Sequence, residues 1–417
     1  MKIPRSPFGR RLGALALAFS LAAFSLAGQA ASAQSAHEAY YDYLGTYPSG
    51  AEPGYSNDFQ GLTTDGVFWW LTQASAPCDP ADDENSLWRV PVGLDLATLD
   101  ASTPGVTTVT PGDSLLGAEG YWHLGDLAFY AHGAERYLVV AVERQSCFGF
   151  GCNRVIAVYD ADSLALRGFF PVCGEQLQAP WCAVDPQGFV YSSSYYSTGG
   201  ELDVHRYAID WDQLDAGGPL SATHVAAIQL QDASGAPLKV ERVQGGAISP
   251  SGELLYLCTM GEYEEGPLGC VVTYGGIQVF LRESDTGWRK IAGSTNGVGH
   301  FNFAFDPCEE VAGFAAPEEP EGIAIWDFDG KGVPGVTGQL HAIMLDNDAG
   351  ADDVYLKHYT HRLPVGPGKK FASPADAVAY GWDGAEVRVD AGSYPGGVTI
   401  DKRLRLVPVG GPVVLGQ

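Results

Sequence analysis

A seven-residue pattern that recurs along this 417-residue chain constrains its fold more than any other feature. A small or polar residue is followed by an apolar pair and then by a turn closed with Gly. It stands as Gln60-Gly61-Leu62-Thr63-Thr64-Asp65-Gly66, as Cys182-Ala183-Val184-Asp185-Pro186-Gln187-Gly188 and as Gly246-Ala247-Ile248-Ser249-Pro250-Ser251-Gly252, each running into an apolar or aromatic strand. Looser copies begin at Gly125-Asp126-Leu127-Ala128-Phe129 and Glu321-Gly322-Ile323-Ala324-Ile325. The starts at 60, 125, 182, 246 and 321 lie 65, 57, 64 and 75 residues apart. Self-similarity at that spacing means radial repetition of small sheets, provided the chain is all-β.

The remaining texture meets that condition. There are 54 Gly and 26 Pro. Short alternating runs such as Val67-Phe68-Trp69-Trp70-Leu71, Tyr137-Leu138-Val139-Val140-Ala141 and Leu254-Leu255-Tyr256-Leu257 dominate, and helical periodicity is almost absent beyond the N-terminus.

Between about residues 55 and 362 the repeat resembles the innermost strand and first hairpin of a β-propeller blade. Glu319-Pro320-Glu321-Gly322-Ile323 is similar to a motif of exported propellers of the phytase-like and strictosidine-synthase-like groups. The resemblance implies an all-β propeller over residues 34–362. Five copies make five blades the economical count, and Phe301-Asn302-Phe303-Ala304-Phe305 keeps a sixth, degenerate blade open. Residues 363–370, with two Pro and two Gly, read as a linker. Beyond it, Ser373-Pro374 is expected to cap a short helix through Tyr380. The short strands of 371–417 then resemble the opening coil of a right-handed parallel β-helix, a stub too small to bury a core alone. No activity is carried over from that likeness.

The N-terminus has the composition of a leader. Lys2, Arg5, Arg10 and Arg11 precede an apolar stretch from Leu12 to Ala27 and the small-residue run Ala31-Ser32-Ala33, so residues 1–33 read as a signal peptide. The remainder carries 20 Lys+Arg against 50 Asp+Glu. That charge repels phosphate backbones and anionic lipid, which excludes nucleic acid and membrane surfaces as expected partners. The protein is expected to be secreted or periplasmic. Its eight Cys read as a disulfide framework, since no C-x-x-C pair occurs. Proximity favours Cys147–Cys152, Cys173–Cys182 and Cys258–Cys270, leaving Cys78 with Cys308.

In a propeller, residues at the start of each innermost strand ring one mouth of the axis, where ligands usually bind. That places Asn57, His123, Trp181, Arg242 and Gln244 as ligand-binding candidates, with Glu318 beside them. Asp58, Asp126, Glu319 and Glu321 are candidate ligands of Ca²⁺, which takes six to eight oxygens in irregular geometry. The competing reading of Asp beside Gly is a turn residue that satisfies backbone amides. Asp346–Asp353 and Asp327-Phe328-Asp329-Gly330 lack the acidic residue that an EF-type loop requires and read as hairpin turns. Gly-x-Ser-x-Gly is absent, and the aromatic wealth, including Trp69, Trp70, Trp122, Trp181 and Trp326, offers sugar-stacking platforms or core. The expected function is a binding module for a glycan or other extracellular small molecule, with calcium in a structural role. The alternative is a calcium-dependent phytase-like hydrolase acting on a phosphoester or lactone. Cationic groups for a substrate phosphate are scarce at the inferred mouth, which favours binding.

Overall fold

The Gly that closes each repeat sits where only Gly is unstrained: Gly66, Gly188 and Gly252 have φ of 80°, 83° and 76°. Each ends a tight turn, with Gly188 N–H donating to the Asp185 carbonyl and Gly252 N–H to that of Ser249. The repeat is therefore a first hairpin, and the strands around it build a blade. The computed structural model describes residues 40–417 apart from 75–84, 111–121, 145–153, 198–201, 267–268, 296–297, 300–302, 307, 309, 312–313, 316, 348–351, 370, 382–384, 402 and 417. The leader at 1–33 lies outside the described residues.

After β1 (Tyr40–Ala51), the first blade is β2 (Phe59–Thr64), β3 (Phe68–Gln73), β4 (Ser86–Pro91) and β5 (Thr107–Val109). The second is β6 (Trp122–His132), β7 (Glu135–Arg144), β8 (Arg154–Asp160) and β9 (Leu166–Pro171). The third is β10 (Ala183–Val184), β11 (Phe189–Ser193), β12 (Asp203–Ile209) and β13 (Ala222–Gln231), with a one-turn helix α1 (Trp211–Asp215) before β13. In the fourth, β14 (Val243–Ile248) and β15 (Leu254–Thr259) are separated by the hairpin β16 (Glu262–Gly266) and β17 (Gly269–Thr273) from β18 (Gly276–Arg282) and β19 (Gly287–Thr295). Short pieces β20 (Val298–Gly299), β21 (Glu310–Val311) and β22 (Phe314–Ala315) lead to β23 (Glu318–Ile325), β24 (Leu340–Asp346) and β25 (Asp353–Val365).

These last three strands are one short of a blade. The N-terminal β1 supplies the fourth, pairing antiparallel with β25 from Tyr40↔Arg362 to Ala51↔Val354. The innermost strands β2, β6, β10, β14 and β23 each touch the next, and β23 returns to β2. The fold is a five-bladed β-propeller. Among the described residues Phe303 and Phe305 form no sixth blade; both are buried beside Tyr256 and Ile277 as packing between the fourth and fifth.

Period-two alternation makes the core. The consecutive Trp69 and Trp70 are both fully buried on opposite faces of the first blade. Trp69 packs with Phe328 and Ile343 of the last blade, and Trp70 with Leu138 and Val140 of the second.

Two expectations are corrected here. The segment 363–370 is not a linker from its first residue, because Leu363 and Val365 are fully buried in β25. There Arg362–Val365 pair in parallel with Glu386–Val389 of β26 (Glu386–Tyr394), which pairs in parallel with β27 (Arg405–Leu415). The helix α2 (Pro374–Tyr380) is capped by Ser373, as the sequence predicts. The proposed pairs Cys173–Cys182 and Cys258–Cys270 do not form, for Cys182 and Cys258 are buried free thiols. Cys173 follows β9, the outermost strand of its blade, whereas Cys182 precedes β10, the innermost of the next. Nine residues of sequence thus cross a whole blade, about 14 Å at 4.8 Å per strand spacing. Cys173 and Cys308 are both disulfide-bonded. Cys78, Cys147 and Cys152 lie outside the described residues, as does the Cys270 side chain.

Closure by β1 involves two buried histidines. His341 of β24 and His358 of β25 meet through Nδ1 at 2.8 Å, and His358 Nε2 reaches the Tyr47 carbonyl of β1 at 2.9 Å. Burial pulls the His358 pKa down from 6.5 to about 4. The unfolded chain therefore binds a proton at this site between those values while the folded chain does not. The contribution of His358 to stability is whole above about pH 6.5 and is lost as pH falls toward 4. It amounts to roughly 3 kcal/mol for a shift of that size. Comparing urea unfolding of the protein and of His358→Gln at pH 7 and pH 4.5 checks this: the gap between the two is expected to shrink by that order on acidification.

Candidate functional site

Four of the innermost strands carry a β-bulge near their start, at Phe59/Gly61, Leu124/Leu127, Val243/Gly245 and Pro320/Ile323. A bulge re-aims side chains that a regular strand would alternate. The residues at these irregularities include Gln60, Asp126, Gln244 and Glu321, all buried. The repeat thus delivers one polar group from each of four blades to the axis.

Below them the strands meet backbone to backbone. A Cβ on Gly61 would lie 2.6 Å from Asp126 Cα, one on Gly322 2.7 Å from Gly61 Cα, and one on Gly245 2.3 Å from the Glu321 carbonyl oxygen. Into this junction Asp126 projects a fully buried carboxylate. Its Oδ1 accepts from its own blade at Leu127 N (2.8 Å), while Oδ2 accepts from Gly246 N of the fourth blade (2.9 Å) and Ile323 N of the fifth (3.4 Å). Leu62 N of the first blade also bonds to it. Burial raises the Asp126 pKa well above the usual carboxyl range, and the four N–H groups oppose that rise. Asp126 is a structural hub joining four blades, the satisfied-turn role taken to the axis of the fold.

Above the hub lies the mouth proper. Gln244 Nε2 donates to Glu319 Oε2 at 2.6 Å and to Glu321 Oε1 at 2.7 Å. Burial, reinforced by the neighbouring Glu319, holds the Glu321 pKa well above the ordinary value. Its other oxygen, Oε2, is buried with no hydrogen-bond partner. His123 Nδ1 at the start of β6 is likewise buried without one, and burial lowers its pKa to about 4. Asp58 and Arg242, each just before an inner strand, hold left-handed backbones (φ 48° and 55°). Their carbonyls accept from Ala74 N and Met260 N, which pins the strained turns. Asp58 N donates to Asp352 Oδ2 at 2.8 Å, and Asp352 N reaches Asn57 Oδ1 at 3.3 Å, so the two predicted residues hold Asp352. Glu318 accepts from Asp306 N.

The structure thus gathers Gln244, Glu319 and Glu321 and sets Arg242 beside them, its charge acting on Glu319. It withdraws Trp181 from the site. That ring is fully buried, donates from Nε1 to Ser193 Oγ at 2.8 Å, and leaves no room for a Cβ on Gly246. Sequence reasoning missed Gln60, which opens the first copy of the repeat and takes the position that the pattern assigns to polar residues. Among the described residues, the set of His, Asp and Glu whose ligand atoms all fall within 4.8 Å of one another is His132, Asp212 and Asp215, at the opposite end of β6 from His123.

No family model matches this chain, and no curated protein matches it. Solved structures similar to it include a candidate gluconolactonase (12% identity, 78% of this chain and 93% of that one, TM-score 0.35). Others are the Dos1 propeller (8%, 72% and 68%, TM-score 0.31) and the complex of KlAtg21 with the coiled coil of AgAtg16 (10%, 70% and 67%, TM-score 0.33). At that overlap none of them carries an argument about function. The propeller assignment rests on the closed ring of five innermost strands.

Proposed function

We propose that this is an exported binding propeller whose mouth holds a small polar extracellular ligand, a glycan or related polyol, without turning it over. The observation that carries the reading is the pair of buried polar atoms without partners, Glu321 Oε2 and His123 Nδ1, on inner strands of the fifth and second blades. Such atoms cost about 1–3 kcal/mol each when left unmet. A ligand that donates and accepts hydrogen bonds there recovers that cost.

A mouth calcium fits the residues poorly. Both Asp126 oxygens are engaged by backbone N–H groups. Gln244 turns an N–H, not an oxygen, toward both glutamates, where a cation would need acceptors. No three of the candidate ligands bring donor atoms within 4.8 Å. The hydrolase reading loses its metal-activated water for the same reason.

The test uses Glu321→Gln, which keeps one oxygen as an acceptor for Gln244 and replaces the second carboxyl oxygen with an N–H donor. Binding is expected from a panel of neutral glycans and polyols and is expected to weaken at least tenfold in the variant. Phosphoester and lactone turnover is expected to be absent with and without calcium. Calcium-dependent turnover would overturn the binding reading in favour of the hydrolase.

A further inference from the structure

Beside the mouth, between the third and fourth blades, lies a cleft of about 400 Å³ lined by Tyr196, Ser197, Lys239, Glu241, Arg242 and Glu262. That volume falls within the roughly 300–1,000 Å³ of small-molecule sites. We propose that this cleft is a subsite for one neutral pyranose ring, stacked on Tyr196 and hydrogen-bonded through its hydroxyls to the charged groups opposite. The proposal rests on the binding reading above and extends it from the axis to the rim.

The floor of the cleft is preformed. Glu241 accepts from Ser197 N at 3.1 Å, from Lys239 Nζ at 3.0 Å and from the Ser197 hydroxyl. Its carbonyl accepts from Gly261 N and from the Thr259 hydroxyl. Arg242 follows with its left-handed backbone tied to Met260 N. The wall is Tyr196, a residue 46% exposed whose ring also packs against Tyr195. Tyr195 meets Tyr196 edge to face at 4.5 Å and 88°, and its own hydroxyl reaches Met260 Sδ at 3.4 Å. A rigid aromatic face beside polar groups buries the apolar face of a sugar ring at low entropic cost.

Charge decides the ligand class. Two cations, Lys239 and Arg242, face two carboxylates, Glu241 and Glu262, so the cleft has no net charge. A phosphate would find Lys239 already paired to both Glu241 and Glu262. Hydroxyl groups both donate and accept, and suit alternating donors and acceptors. Arg242 belongs to this cleft and also acts on Glu319, so a ligand held at the rim adjoins the Gln244, Glu319 and Glu321 group.

The experiment titrates the full chain with methyl β-D-glucopyranoside, methyl β-D-galactopyranoside and methyl α-D-mannopyranoside by saturation-transfer NMR. Sorbitol serves as a polyol without a ring face and glucose 6-phosphate as a charged analogue. At least one pyranoside is expected to bind tenfold or more tighter than either control. Tyr196→Ala is expected to weaken it at least tenfold, and Tyr196→Phe to leave it unchanged. Equal binding of sorbitol, or no binding of any pyranoside, overturns the inference. Pyranoside binding that survives Tyr196→Ala but is lost in Glu321→Gln also overturns it and leaves the axial reading standing. Loss in Tyr196→Ala with Glu321→Gln unaffected supports the cleft and removes the axial reading.

Discussion

Asp126→Ala is expected to abolish or nearly abolish the folded state. The side chain satisfies backbone N–H groups at Leu62, Leu127, Gly246 and Ile323, contributed by four blades. Removing it leaves those donors buried, at about 1–3 kcal/mol each, against a total stability of roughly 5–15 kcal/mol for a folded domain. Water has poor access to restore them, since Asp126 is fully buried and the glycine backbones close around it. Asp126→Asn keeps one acceptor oxygen and turns an amide N–H toward the remaining donors, so it should fall between. Urea unfolding followed by far-UV circular dichroism checks the series. A loss below about 1 kcal/mol for the alanine variant would remove Asp126 as the hub.

Gly125→Ala is expected to destabilise by about 3 kcal/mol or more, at the upper end of what overpacking costs. The new Cβ would lie 1.9 Å from the Pro180 carbonyl oxygen and 2.7 Å from its carbon. The obstacle is backbone, which cannot rotate away as a side-chain tip can. The same carbonyl accepts Asp126 N at 2.9 Å, so pushing it aside also loosens the hub. Gly174→Ala supplies the control: its Cβ would meet nothing within 4 Å and its φ is not left-handed. It is expected to change stability by less than about 0.5 kcal/mol, as surface substitutions do. Thermal unfolding of the two variants side by side separates close packing at the axis from a general cost of losing Gly.

Much of the architecture was legible because a propeller repeats one solution. Every copy of the seven-residue pattern falls at an inner strand and its turn, and Gln244, Glu319 and Glu321 came together at the mouth where the pattern placed them. The Cys173–Cys182 pair failed for the same topological reason that the blades succeeded. Chain distance in a blade runs radially, so Cys173 and Cys182 are close in sequence and lie on opposite margins of neighbouring blades. Trp181 failed because position along the repeat fixes depth, not facing: it precedes the third inner strand, but its ring turns onto Gly246 in the core. The closing strand β1 had a weaker signal, in that the last copy is followed by only two further strands before the Pro/Gly-rich segment.

By itself the sequence determined the all-β class, five copies of a repeating unit with a sixth left open, and the polar residues that open each inner strand. Those are local properties, written as period-two alternation and as glycines in left-handed turns. Only the tertiary structure decided which of those polar residues serve the fold and which remain for a ligand. Asp126 and Glu321 are both acidic residues beside Gly at the start of looser copies. One sits level with the N–H groups of four converging strands and is wholly engaged, while the other sits above them with an oxygen to spare. That difference is set by depth along an axis which exists only once five sheets have closed around it.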